Sequence, residues 1–373
     1  MQVTYKIAKE VNEVIKRLNN LRRWTWFLTE GRSNELAKQA LNCISAFMLT
    51  TICVNKGCKI RFERFPRIAI YRSFQKAYAV VDTPEYVLKD IFSFSKELSM
   101  ENLDDVAREI NTEKTNKEFS NFLCETDGTL ESRLYKAASK IATYVELVEN
   151  KIGGDKFMVK QKEILETLGE YYDIPGVKEM SDISGNYFKI LTQISSLRNQ
   201  NRWTLYSYRT DCSVLGHLFD TAVWAYLMSL EQNPHDEATA TKMFFMGIFH
   251  DVPEAWTKDI PSPIKDRIPG FRELTERYEL QVIDEHIYQK VPEFMVEKLK
   301  EVMMEDESNA SVKPLMKGAD YMSADSECWR QYVSGSRDSY FFEAMGRNYA
   351  KLKSRTVIYS PVCKRLTEEF HAF

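Results

Sequence analysis

Apolar residues recur along this chain at intervals of three and four, as in Val11-Ile15-Leu18, Leu134-Ala138-Ile141-Val145 and Val223-Tyr226-Leu227-Leu230. That spacing gathers side chains on one face of an α-helix. No stretch sustains the every-second-residue alternation of a half-buried strand, so the pattern predicts an all-α fold. The most apolar run, Leu41 to Val54 (LNCISAFMLTTICV), is shorter than a bilayer span requires. It predicts a buried core helix rather than a membrane segment or a secretory signal. Turn-forming residues cluster at 152–155, 172–176, 233–234 and 261–269, where helices are expected to end.

The pattern also repeats. Arg23-Trp24 in LRRWTWFLTEGRSNELAKQAL and Arg202-Trp203 in NRWTLYSYRTDCSVLGHLFDTAV stand 179 positions apart, each followed by a serine and then an apolar helix. LYKAASK at Leu134–Lys140 lines up with LMKGADY at Leu315–Tyr321 at a shift of 181, and Asp82-Thr83-Pro84 lines up with Asp259-Ile260-Pro261 at a shift of 177. Nearly constant offsets in chain order point to a tandem duplication of one helical bundle. The expected division is a first bundle at 1–172, a linker at 173–186 and a second bundle at 187–373. All five histidines lie in the second bundle. Under these offsets His217 faces Ala37 or Lys38, His250-Asp251 faces Arg72–Lys76, and Asp320 faces Ser139, so one copy keeps metal-type side chains and the other has lost them.

Composition narrows the function only modestly. With 51 basic against 54 acidic residues, the net charge of -3 provides no general attraction to nucleic acid or to a membrane surface. Seven cysteines are scattered, with no C-x-x-C pair, which suggests neither a disulfide framework nor a zinc knuckle and fits a reducing cytoplasm.

The densest chemistry is His250–Lys265, HDVPEAWTKDIPSPIK. A His-Asp dipeptide is weak evidence, and His235-Asp236 in the polar turn NPHDEA serves as the chain's own control. At His250 the apolar run MFFMGIF precedes the pair, and Glu254 follows at i+4 on what the spacing predicts is the same helical face. Burying imidazole and carboxylates beside such a run is costly unless a metal or close pairing offsets it. His217 on an apolar helix and Asp320 in LMKGADY could complete a two-imidazole, two-carboxylate set with positions left for water and substrate. That set suits manganese, cobalt, iron or magnesium better than a closed zinc site. On residue types alone, a satisfied buried polar cluster remains an equal alternative.

NRWTLYSYRTDCSVLGH, FHDVPEAWTKDIPSPIK and LMKGADY together resemble the HD-domain hydrolases of the YfbR type, bacterial 5'-deoxynucleotidases, over roughly Leu197 to Asp325. The resemblance implies an all-α HD domain in which His217, His250, Asp251 and Asp320 hold one divalent metal. It further implies that Glu254 and Asp259 handle the attacking water, Arg202 grips the substrate phosphate and Trp203 presses on the sugar. Arg209 and Lys265 are further candidates for the phosphate. Gly216 before His217, Pro253 after Asp251 and the extra first half depart from the family pattern. A family that generally works as a homodimer leaves two options here, a homodimer or a pseudo-dimer formed by the two halves. The expected activity is release of phosphate from (deoxy)nucleoside 5'-monophosphates. Hydrolysis of nucleoside triphosphates or cyclic nucleotides and non-catalytic nucleotide sensing are the alternatives. The first half could itself sense nucleotide, with Arg22, Arg23, Trp24 and Arg72 as its candidates.

Overall fold

The computed structural model describes residues 1–25, 27, 29, 32–80, 83, 85–95, 99–124, 128–150, 155–204, 206–258, 260, 262–303, 309–354 and 357–372. Regular structure among them is helical, apart from two isolated antiparallel bridges. The all-α expectation therefore holds. Asp82, Pro84, 152–154, Asp259 and Pro261 lie outside the described residues.

Five helices position the site. Glu35–Asn55 packs on Leu130–Glu149 in the first half, while Val214–Gln232 packs between Glu237–Phe249 and Lys313–Val333 in the second. Glu35–Asn55 also lies against Val214–Gln232, so the two halves share one continuous hydrophobic core. Phe47 meets Phe245 and Phe249 across that junction at ring separations of 5.0 and 5.1 Å. The run Leu41–Val54 sits inside a longer helix than its apolar letters suggested. At 21 residues Glu35–Asn55 has the length and composition of a membrane span, but 94% of its most apolar window is buried within the fold. It is a core helix, because neighbouring helices cover it on all sides.

Close approach accounts for two glycines. A Cβ on Gly247 would stand 2.5 Å from the Ala222 Cα, and one on Gly318 would stand 2.1 Å from the Ile358 carbonyl oxygen. Only glycine lets the Glu237–Phe249 helix approach Val214–Gln232 so closely, and only glycine lets the chain at Ile358 cross the Lys313–Val333 helix. The segment 173–186 holds the short helix Val177–Met180 and buries Ile174, Val177 and Met180. Its Pro175 carbonyl accepts from the Cys53 thiol at 3.1 Å, which ties this stretch to the first half's core helix.

The two halves use the same local device at the mouth of each core helix. Arg22 bridges to Asn34, with Arg23 N–H donating to the Ser33 carbonyl and Glu35 N–H to the Leu21 carbonyl, both at 2.9 Å. Asn201 bridges to Ser213, with Arg202 N–H donating to the Cys212 carbonyl at 2.7 Å and Val214 N–H to the Gln200 carbonyl at 2.9 Å. Asn34 and Ser213 then cap the following helices through the N–H groups of Ala37 and Gly216. Trp24 and Trp203 both adopt left-handed backbone, at φ 61° and 65°. A non-glycine residue there costs about 1–3 kcal/mol, so the surrounding hydrogen bonds must hold it.

Candidate metal and substrate site

Three helices bring the predicted ligands together. His217 lies one turn into Val214–Gln232, His250 ends Glu237–Phe249, Asp251 follows it, and Asp320 lies in Lys313–Val333. The ligating atoms of His217, His250 and Asp251 all fall within 4.8 Å of one another. His217 Nε2 is 3.2 Å from Asp320 Oδ1 and 3.9 Å from Asp251 Oδ2, and His250 Nε2 is 3.2 Å from Asp251 Oδ2.

The outer nitrogens settle which ring atoms are available. His250 Nδ1 is 2.7 Å from the Gly247 carbonyl oxygen, which can only accept, so Nδ1 carries a proton and Nε2 is the ring atom left facing the cluster. His217 Nδ1 likewise meets Glu327 Oε1 at 3.0 Å. Two imidazoles anchored through Nδ1, with Nε2 turned toward two carboxylates, form the donor set that a divalent cation takes. Burial alone would raise the pKa of Asp251 and Asp320, yet the neighbouring imidazoles hold both carboxyls well below the usual range. Burial and Arg202 press the His217 pKa down, but Glu327 and Asp320 prevail and raise it to about 9. The anionic groups therefore demand positive charge at this point, and the residues fit a metal.

Glu327 is the site residue that the linear pattern did not single out. Its side chain is 2% exposed. One oxygen accepts from His217; the other accepts from Arg202 Nε at 3.2 Å and from Trp203 Nε1 at 3.0 Å. One carboxylate thus joins a metal-type ligand to both substrate candidates. Arg202 Nη1 lies 4.0 Å from Asp251 Oδ2, which sets the guanidinium beside the cluster. Trp203 packs on Phe341 and Tyr340 of the Ser339–Leu352 helix, so the apolar segment at 340–349 backs this tryptophan. A second buried pair, Arg330 Nη2 to Asp220 Oδ2 at 2.6 Å, clamps the same two helices one turn further on.

Other expectations fare differently. Glu254 is buried, but it does not continue the helix that carries His250. That helix ends at Phe249, the chain turns through 251–253, and a new four-residue helix, Glu254–Thr257, begins after Pro253. Proline has no N–H for the bond that would continue the helix, so the i+4 argument for a shared face fails. Glu254 is instead placed by its own N–H donating to the Asp251 carbonyl at 3.1 Å and by Gln200 Nε2 donating to its carbonyl at 3.1 Å. Lys265 pairs with Glu279 at 3.4 Å, and Asp251 adds to the forces that raise the Glu279 pKa, behind burial. This pair is therefore within electrostatic reach of the cluster. The backbone N–H of Arg209 donates to Gln331 Oε1 at 2.7 Å, while its side chain lines a different cavity, away from the predicted ligands.

In the first half, Arg23, Lys38 and Glu146 form a buried ion-pair network. Arg23 reaches Glu35 at 2.9 Å and Glu146 at 2.8 Å, and Ser33 Oγ donates to Glu146 at 2.6 Å. Lys38 Nζ donates to the Ser139 carbonyl and to Thr143 Oγ1, both at 2.8 Å. Burial raises the Glu146 pKa, but Arg23, Lys38 and Arg198 overcome it and hold the carboxyl at about 2.

An all-helical bundle that gathers two histidines and two carboxylates at one point is suited to hold a divalent metal, the arrangement that metal-assisted hydrolysis uses. Residues 186–363 match the family described as 5'-deoxynucleotidase YfbR-like. A 5'-deoxynucleotidase of Yersinia pestis (strain Pestoides F) is 25% identical over 157 residues, covering 41% of this chain and 78% of the relative. A 5'-deoxynucleotidase of Yersinia pseudotuberculosis serotype O:3 (strain YPIII) matches to the same extent, at 25% over 157 residues. No solved structure matches the chain.

Proposed function

We propose that this chain releases phosphate from nucleoside 5'-monophosphates, deoxyribonucleotides among them, at a divalent-metal site held by His217, His250, Asp251 and Asp320. The observation that carries the reading is the convergence of this donor set with Arg202 through Glu327. A divalent cation bound there supplies Lewis acidity to water and neutralises phosphoryl charge. Arg202, oriented by Glu327, grips a phosphate oxygen through its guanidinium, and Trp203 bounds the sugar. Glu254, with Asp259 as the second carboxylate, takes a proton from the attacking water. The new O–P bond forms in line as the P–O5' bond breaks, and the departing 5'-oxygen takes up a proton.

We infer further that residues 1–172 are a second copy of the catalytic bundle at 187–373, joined by 173–186. Support comes from the paired bridges, the paired helix caps and the two left-handed tryptophans, all at a shift of 179. In this reading Lys38 stands where His217 does, and Arg23 is consumed by carboxylates, so the first half serves as a built-in partner for the second. Seven free thiols are consistent with a cytoplasmic setting.

The test is phosphate release from deoxyribo- and ribonucleoside 5'-monophosphates, triphosphates and cyclic nucleotides with manganese, cobalt or magnesium. Metal-dependent turnover of monophosphates, abolished by His250→Ala and Glu254→Ala, is expected. Turnover confined to triphosphates or cyclic nucleotides, or none at all, rejects the assignment.

A further inference from the structure

A cavity of about 500 Å³ opens between the two halves, lined by the residues of both antiparallel bridges. The predicted metal ligands, Arg202 and Trp203 do not line it. Its size falls within the range of roughly 300–1,000 Å³ common for small-molecule sites. Its lining is cationic. Arg22, Arg32 and Arg209 line it with a single carboxylate, Asp211, which pairs with the first two, and the fourth arginine, Arg198, is neutralised by Glu149 at 3.1 Å.

The donors are only partly used. Asp211 receives Arg32 at 2.8 Å and Arg22 at 3.5 Å. The Arg209 guanidinium makes no hydrogen bond or ion pair among the described residues, and the buried Thr210 hydroxyl has no hydrogen-bond partner. Two arginines sharing one carboxylate beside a third that lacks one leave net positive charge in a walled, polar space. Guanidinium forks match phosphate oxygens in geometry as well as charge.

The cavity also touches the machinery of the other site. Arg209, Thr210 and Asp211 belong to the hairpin that presents Arg202 and Trp203. Gln331 fastens that hairpin by accepting from the N–H groups of Arg209 and Thr210 and donating to the Thr210 carbonyl at 2.6 Å. Gln331 lies one turn beyond Glu327 on the same helix. A ligand that draws Arg209 and Arg32 inward therefore acts on a hairpin that the substrate also uses, and the coupling must be reciprocal.

We propose that this seam is a second binding site, for a phosphate-bearing anion, and that its occupancy tunes the hydrolytic site through the 201–213 hairpin. The tuning rests on the phosphohydrolase reading; the binding does not. The first measurement is calorimetric titration of the EDTA-treated full chain with dATP and, separately, with inorganic phosphate at low salt. Saturable binding is expected, weakened about tenfold or more by Arg209→Ala and by the Arg22→Ala/Arg32→Ala pair, and unaltered by Arg202→Ala. Binding of dATP alone assigns a nucleotide, and equal binding of inorganic phosphate assigns the free anion. Arg22, Arg32 and Arg209 are exposed, so these variants keep the fold. No saturable binding of either probe, or binding that falls with Arg202→Ala and ignores the cavity substitutions, overturns the site.

The second measurement is monophosphate turnover by the metal-loaded chain against rising concentration of whichever probe binds. Competition at the hydrolytic site acts equally on wild type and on Arg22→Ala/Arg32→Ala, so a response present only in wild type supports the tuning. Superimposable curves remove the tuning, and absence of turnover in wild type is a failure of the hydrolase assignment that leaves the titration result standing.

Discussion

Replacing Glu327 by Gln tests whether one buried carboxylate assembles both the metal and the substrate sides of the site. The two side chains have nearly the same shape, so the change removes charge rather than volume. The carboxylate accepts from His217, Arg202 and Trp203 at 3.0, 3.2 and 3.0 Å. Burial pushes its pKa up, yet Arg202 and His217 hold it at about 2, so it is ionised at neutral pH. Hydrogen bonds to charged groups contribute about 1.5–3 kcal/mol each, and removing one member of a buried pair costs about 3–5 kcal/mol. The Gln variant should therefore lose roughly 3 kcal/mol of stability in urea unfolding. A lost outer partner of a ligating histidine typically weakens metal binding about 10–100-fold, and loss of the Arg202 anchor should raise KM for a monophosphate as well. Stability loss alone would not distinguish this role from ordinary packing. Asp220→Asn supplies the control, because it breaks the buried pair to Arg330 on the same two helices and removes no hydrogen bond to His217, Arg202 or Trp203. Asp220→Asn should destabilise comparably while manganese affinity, measured by equilibrium dialysis, stays near that of wild type. Equal manganese affinity and equal KM in Glu327→Gln and wild type would refute the reasoning.

Equilibrium dialysis should also find one manganese ion per chain, falling to none in His250→Ala; a second ion that survives this substitution would mean that the first half retains a site. Glu146, whose folded pKa of about 2 lies below its ordinary value of 4.5, contributes stability that is fully present above pH 4.5 and is lost as pH falls toward 2. Glu146→Gln should thus be less stable than wild type at neutral pH by urea unfolding, with the gap closing between pH 4.5 and 2; a gap independent of pH would contradict the pairing. Gly247→Ala should cost about 1–3 kcal/mol, because its new methyl must displace the Ala222 backbone; urea unfolding with no change in midpoint would show that the two helices separate freely.

Helix periodicity, the apolar core run, the chemistry of His217, His250, Asp251 and Asp320, and the paired Arg-Trp segments were all legible in the linear chain. They depend on residue type and short spacing, which local physics reads directly. The core helix was legible in kind but not in extent, because the polar letters at its start are buried by contacts from elsewhere in the chain. Glu327 was not legible: it lies in SADSECWRQ with no local signal, and its partners are 110, 124 and 125 positions away. For Glu254 only the helical-face argument failed: its spacing looked helical, but Pro253 ended the helix, and backbone bonds to Asp251 and Gln200 hold the new turn that carries it. Arg209 matched a charge expectation and then turned toward the seam, because the hairpin is fastened by Gln331 from a distant helix. The sequence by itself determined which side chains could bind a cation or a phosphate and that helices would carry them. Tertiary structure decided which of those groups meet, since a buried charge is stabilised by partners that folding alone brings within hydrogen-bond reach.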